Sequence, residues 1–360
     1  MRSCWCGNAH LICFSDEYGS CEGCGTLVFL KEFPADQYQV LNDETDFYGR
    51  KYWLKHQTED LGLPDLHTRA RNDLIERNLH WLKTLLKYRL PSAKILELGC
   101  AHGSFVSLLR QAGYDASGVE MSPWIVEFGK KTFGIPVSVG PVEDINIPPA
   151  TLDVIVMMDV LEHLPDPSAT MEHCLRLLKP DGLLLIQTPQ YREGMDYAKM
   201  EESNDSFLHQ LKVPEHLYLF SERAVSLLFQ RLEANYIQFE PAIFNHYDMF
   251  FAVSISSFKT NDPGQIESTL LGTPNGRLTQ ALLDLRRKEL DCTQKLGQSL
   301  ADGMDMAGRI EKLSTMVLAA EELKLNLQVL LSRRWFHWLA KIARLSEVKK
   351  IAELLNKTNE

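Results

Sequence analysis

No run of apolar residues in this 360-residue chain approaches the roughly 18 that a membrane-crossing helix needs. The opening stretch, MRSCWCGNAHLICF, lacks the apolar centre of a secretory signal, so a cytoplasmic protein is expected. Positive charge is in short supply, with 38 Lys and Arg against 48 Asp and Glu, a formal net charge of −10. That balance argues against gripping a nucleic-acid backbone as the main task, and no nucleic-acid partner is expected. Cysteine is sparse after residue 24, where only Cys100, Cys174 and Cys292 remain of the eight. In a cytosolic chain this excludes a disulfide framework and points to a metal or to isolated thiols.

What is present alternates. From Ala93, KILELG reads as an apolar strand, SFVSLLRQAG as a helix ended by Gly113, and DASGVE as a second strand. SPWIVEFGKKTFG reads as a helix with Ser122 as its cap and Pro123 in its first position. PVSVG, LDVIVMM and GLLLIQT are further strands, and PDPSATMEHCLRLLKPDG is a helix between the last two. Strands and helices alternating at this length predict a parallel sheet covered on both faces. After a helix over 221–234, NYIQFEPAIF and DMFFAVSIS read as neighbouring strands close to a hairpin. The expected fold is therefore α/β, a Rossmann-like doubly wound mixed sheet, over residues 91–258.

Around that core the composition changes. Residues 1–30 are rich in cysteine, and 31–90 form an aromatic connector with a lead-in helix over 65–88. The polar stretch 259–275, with its Pro and Gly, reads as a linker. Leu278, Leu282, Leu285, Leu296, Ile310, Leu313 and Val317 belong to an apolar seam within 276–331, which predicts a coiled coil and a homo-oligomer. Glu289, Ser299, Gly303 and Lys324 interrupt that seam. The last segment, 332–360, reads as a basic amphipathic helix. Between Leu331 and Lys350 it has six Lys or Arg and one Glu, with Trp335, Phe336 and Trp338 close together. Peripheral contact with an anionic membrane and packing against the coiled coil are equal readings of it.

The loop in LELGCAHGSF follows a strand and opens a helix, so its amides and the helix dipole favour an anion. Glu120, at the end of the second strand, stands where an acid can bind a ribose diol. A dinucleotide fingerprint needs glycine at 99, 101 and 104, and Ala101 and Ser104 fail it. Against the methyl-donor pattern acidic–x–Gly–x–Gly–x–Gly, Glu97, Gly99 and Gly103 match and only Ala101 departs. That favours S-adenosylmethionine.

Together with SGVEMSP, GPVEDI, LDVIVMMDVLEHLPDP and LLKPDGLLLIQTP in consistent order, this loop resembles the class I S-adenosylmethionine-dependent methyltransferases. The resemblance implies Glu97, Gly99, Ala101 and Gly103 around the methionine end and Glu120 on the ribose. It places Val142 and Glu143 beside the adenine and Asp159 near the methionyl portion. For a hydroxyl acceptor a base is needed, and histidine titrates near neutrality. His216, in PEHLYLFS, is the first candidate, His163 the second and His102 a third. Tyr48, Tyr52 and Trp53 are candidates for a lid.

Tetrahedral Zn²⁺ takes four thiolates from two knuckles. Cys21 and Cys24 have the usual spacing, while Cys4 and Cys6 are one residue short, which leaves Cys13 as a substitute ligand. A cysteine module before such a core resembles bacterial sugar methyltransferases, which implies a sugar, glycan or small-molecule acceptor, with O-methylation at least as well supported as C-methylation. The competing readings are a non-catalytic scaffold and an RNA-modifying enzyme.

Overall fold

The structure is a computed structural model that describes residues 2–31 and 40–332. The basic C-terminal segment with Trp335, Phe336 and Trp338 lies outside the described residues. Two compact units divide the chain after Arg286.

Three short strands come first, β1 (Ile12–Cys13), β2 (Tyr18–Ser20) and β3 (Leu27–Phe29). A helical segment, Tyr52–Asp60, precedes α1 (Leu66–Asp73) and α2 (Leu79–Tyr88), which the wider turn Leu74–Asn78 joins. Asp65 caps α1 by accepting from the amides of His67 and Thr68. The predicted alternation follows: β4 (Lys94–Leu98), α3 (Ser104–Gln111), β5 (Asp115–Glu120), α4 (Pro123–Phe133), β6 (Val137–Val139), β7 (Leu152–Met158), α5 (Pro167–Leu177) and β8 (Leu178–Pro189). Then come α6 (Tyr197–Ser203), β9 (Tyr218–Leu219), α7 (Glu222–Arg231), β10 (Tyr236–Glu240) and β11 (Asp248–Ser254).

The main sheet has the order β10-β11-β8-β7-β4-β5-β6. It is parallel from β8 to β6 and antiparallel at β11 and β10, so it is mixed as predicted. Alternate residues feed opposite cores: Leu96, Ile155 and Ile186 face one, and Ile95, Val154 and Leu185 the other. Strands buried on both faces read as unbroken apolar runs, which is why LDVIVMM has no polar partner face. The chain moves outward from β4 through β5 to β6, then returns to the other side of β4 for β7. A crevice opens beyond the carboxyl ends of strands at such a reversal, and here those ends are Leu98, Glu120 and Met158.

Two expectations need correction. The cysteine-rich segment is not a module apart from the core. It supplies a four-stranded sheet, β1-β2-β3-β9, whose last member comes from far along the chain. Leu27 pairs with Leu219 and Val28 with Tyr218, and Tyr18, Leu27 and Phe29 join the same core as the main sheet. The linker over 259–275 contains a helix, α8 (Pro263–Leu271). Asp262 and Gln265 form a reciprocal capping box, Pro263 occupies the first turn, and Leu270 is buried in the core against which α2 packs.

The last described helix, α9 (Pro274–Ser332), has 59 residues, about 90 Å at 1.5 Å per residue. Its seam is solvent-facing in the single chain, with Leu296, Ile310 and Leu313 each 62% exposed. Among the described residues, no helix is long and apolar enough to cross a membrane.

Candidate active site

The loop after β4 is shaped by its glycines. Gly99 has φ +66°, and a Cβ there would stand 2.6 Å from Val160 Cγ2. Gly103, at φ +80°, caps α3, and a Cβ there would overlap Ile135 Cδ1. Both positions require glycine on conformation and on space. Ala101 occupies the same left-handed region at φ +47°, a strain of about 1 kcal/mol relative to glycine. Its amide donates to Glu120 Oε2 at 3.0 Å, and the amides of Met121 and Ser122 donate to Oε1 at 2.8 and 3.2 Å. Burial raises the Glu120 carboxyl, and these amides oppose the rise.

Gly99, Ala101 and Glu120 line a cavity of about 850 Å³ together with Glu97, Val142, Glu143 and Asp159, whereas Gly103 is not part of its wall. Glu97 is buried and its Oε2 has no hydrogen-bond partner; burial pushes its carboxyl well above the ordinary range. Val142 is buried, and Glu143 accepts from the Thr170 hydroxyl at 2.7 Å. Asp159, at φ +60° beyond β7, lies 3.3 Å from Arg77 Nη1 and accepts from Gln187 Nε2 at 3.0 Å. The residues present fit the methyl donor. An ionised carboxylate has about four acceptor sites, so Glu120 keeps one for a ribose hydroxyl, and Glu97 lines the same cavity. His102 also lines the cavity, and its Nε2 sits 3.1 Å from Asp73 Oδ2, which ties the loop to α1.

His163 and His216 do come together, with ring centroids 4.8 Å apart. His163 Nδ1 donates to the Glu215 carbonyl at 2.8 Å, and His216 Nδ1 to the Gln210 carbonyl at 2.7 Å. A carbonyl only accepts, so each Nδ1 carries the hydrogen and each Nε2 a lone pair. Burial lowers both imidazoles from their ordinary value, His216 the further. Glu162 joins them, buried completely, with Oε2 accepting from the Thr188 hydroxyl at 2.9 Å. Burial, and after it the Asp159 charge, push this carboxyl well above the ordinary range. The Tyr18 hydroxyl donates to the His216 carbonyl at 2.9 Å, which links the cysteine-rich sheet to this cluster.

The aromatic connector reaches the same cavity. Tyr48, Tyr52 and Trp53 all line it, as the lid reading expects. Glu215, which that reading did not include, anchors the segment: Tyr52 donates to its Oε2 at 2.9 Å, and His56 Nε2 meets Oε1 at 2.8 Å. His56 Nδ1 meets Asp60 at 2.6 Å. Burial opposes protonation of His56, but the bonds to Glu215 and Asp60 outweigh it and raise the imidazole. Glu162, Glu215, His56 and Arg77 are the groups sequence reasoning missed. The signal for two of them was a repeated Glu-His dipeptide, at 162–163 and 215–216.

The four knuckle cysteines converge. Cys4 and Cys24 sulfurs are 3.4 Å apart and those of Cys6 and Cys21 3.6 Å, and all four lie within 4.8 Å of one another. Sulfurs around tetrahedral Zn²⁺ at 2.3 Å would be about 3.8 Å apart. Cys13 lies elsewhere, with its sulfur 3.6 Å from the Ser15 carbonyl, so Cys6 completes the set. Hydrogen bonding from Cys4 pushes Cys24 down to about 5, whereas the bond to Cys24 and burial raise Cys4, and burial raises Cys6. Four crowded thiols with one ionised first is a donor set that a cation completes.

Residues 68–238 match a family model described as a methyltransferase domain. Over 105 residues the chain is 30% identical to a ubiquinone biosynthesis O-methyltransferase of Xanthomonas campestris pv. campestris (strain B100), covering 28% of this chain and 44% of that protein. Its counterpart from Xylella fastidiosa (strain 9a5c) is 32% identical over 105 residues, covering 28% and 43%. The chain thus spans less than half the length of these relatives. The magnesium protoporphyrin IX methyltransferase of Synechocystis PCC 6803, solved with bound SAH, is 16% identical with a TM-score of 0.41, over 57% of this chain and 98% of that one. Over residues 68–238 the glycine loop, the strand order and this match support a class I S-adenosylmethionine-dependent methyltransferase.

Proposed function

We propose that the protein methylates a hydroxyl oxygen of a sugar, glycan or other small acceptor, using S-adenosylmethionine. The observation that carries this reading is a single cavity lined by the glycine loop and Glu120 together with His163 and His216. When bound, S-adenosylmethionine supplies an electrophilic methyl group on its sulfonium. Glu120 holds the ribose, Val142 and Glu143 border the adenine, and Glu97, Gly99, Ala101, Gly103 and Asp159 surround the methionyl end. His163 and His216 serve the acceptor oxygen through their Nε2 lone pairs, and Tyr48, Tyr52 and Trp53 exclude water above it. The naming of the curated relatives as O-methyltransferases supports oxygen as the target. Cys4, Cys6, Cys21 and Cys24 hold a structural Zn²⁺, since four thiolates leave no open position. The exposed seam of α9 pairs with a second copy of the chain.

Titration calorimetry with S-adenosylmethionine tests the donor site. Binding is expected in the wild type, with a loss of about tenfold or more in Glu120→Ala, which deletes a charge-assisted hydrogen bond. Equal affinity in the two proteins refutes the ribose assignment, and no binding at millimolar donor refutes the enzyme. Transfer of a tritiated methyl group into sugar-nucleotide and polyol acceptors then tests the acceptor class.

A further inference from the structure

We infer that Glu162, His163 and His216 form a binding site for one divalent transition-metal ion at the acceptor end of the cavity. The ion's role in activating the acceptor rests on the methyltransferase reading, whereas the site itself does not. Three donor atoms converge there, one from each residue, all within 4.8 Å of one another. Each histidine spends Nδ1–H on a backbone carbonyl, which leaves the lone pair at Nε2 as its donor to a metal. That second hydrogen bond is what fixes the tautomer and ring angle of a metal-binding imidazole. Glu162 is prepared in the same way: the Thr188 hydroxyl holds Oε2, and Oε1 is buried without a partner. Oε1 stands 3.9 Å from His163 Nε2, against about 3.0–3.4 Å between neighbouring ligands of a first-row ion.

A purely structural role leaves this arrangement unexplained. Histidines kept only for packing would satisfy both ring nitrogens, and a general base uses one lone pair rather than two beside a bare carboxylate oxygen. The ligands are also held from both sequence directions, because the Leu217 amide donates to the Glu162 carbonyl at 2.8 Å. Two imidazoles and one carboxylate suit zinc, iron, cobalt or manganese; magnesium and calcium prefer an all-oxygen shell. Three protein ligands leave coordination positions open, and Glu162, His163 and His216 all line the cavity. An acceptor hydroxyl fits there. Coordination would lower its pKa: the O–H bond breaks, the electron pair stays on oxygen, and the proton passes to bulk solvent.

The test uses full-length protein with its cysteine site loaded with zinc, titrated calorimetrically with cobalt(II) chloride. One further ion per chain is expected, without the intense near-ultraviolet band of cobalt bound to thiolate. Glu162→Gln, which keeps the Thr188 contact, lowers cobalt affinity by about tenfold or more and leaves S-adenosylmethionine affinity unchanged. His163→Asn gives the same pattern and serves where Glu162→Gln does not fold. Failure to bind cobalt, binding only with the thiolate band, or unchanged affinity in a folded variant overturns the site. Wild-type protein that binds the donor but not cobalt loses this inference alone. Protein that binds cobalt but not the donor keeps the site and loses the methyltransferase reading.

Discussion

Replacing Gly99 with alanine tests how the donor loop is held. Two separate penalties act at that position. The left-handed backbone, φ +66°, costs an alanine about 1–2 kcal/mol. The new Cβ would also stand 2.6 Å from Val160 Cγ2, an overpacking that costs about 1–3 kcal/mol. Gly99→Ala is therefore expected to destabilise by about 2–5 kcal/mol. Val160→Ala removes the offending methyl and nothing from the backbone term. The double variant should recover the overlap and keep the strain, giving a favourable coupling of about 1–3 kcal/mol. Urea unfolding of the four proteins measures this cycle. Additive effects would refute the close approach of the donor loop to the segment that leads into Glu162 and His163. A double variant restored to the stability of Val160→Ala alone would refute the strained backbone.

Metal analysis of purified protein should find about one zinc per chain, bound to the cysteines, and Cys24→Ser should release it; a folded metal-free protein removes the zinc assignment. The lid contact of His56 depends on pH with a definite sign. The folded imidazole is raised, so its pairing with Glu215 and Asp60 is complete below the ordinary histidine value of about 6.5 and fades as pH rises through the raised one. Trp53 fluorescence should follow that loss in the wild type and stay flat in His56→Gln, and identical profiles refute the link. Ending the chain after Arg286 should leave a smaller particle by light scattering, because the seam from Leu296 to Val317 is removed; an unchanged subunit number refutes pairing through α9.

Much of this architecture was legible in local patterns. Short apolar runs alternating with Gly-punctuated helices announced the sheet, and the positive φ values at Gly99 and Gly103 explain why the loop has glycine there. Ala101 shows the limit, since an alanine in a left-handed turn looks the same in sequence as one in a helix. The helix α8 carried its own signal in Asp262, Pro263 and Gln265, but the polar composition around it hid a single buried Leu270. Which cysteine completes the thiol cluster depended on chain direction between knuckles, which spacing does not specify. Glu162 and Glu215 offered only a repeated Glu-His dipeptide as a signal: their roles come from burial and from histidines of distant segments, His216 for Glu162 and His56 for Glu215.

The pairing of β3 with β9 carries a consequence for biosynthesis. Residues 27–29 leave the ribosome early, yet the edge they offer is filled only by residues 218–219. Until then the cysteine-rich sheet has three strands and an open flank, and contacts of such sequence separation form late. The same late strand follows His216, whose carbonyl receives the Tyr18 hydroxyl. The cysteine-rich sheet therefore reaches its final shape only when the segment around His216 does, and a nascent chain stalled before Leu219 would present its thiols to solvent without the core that protects them.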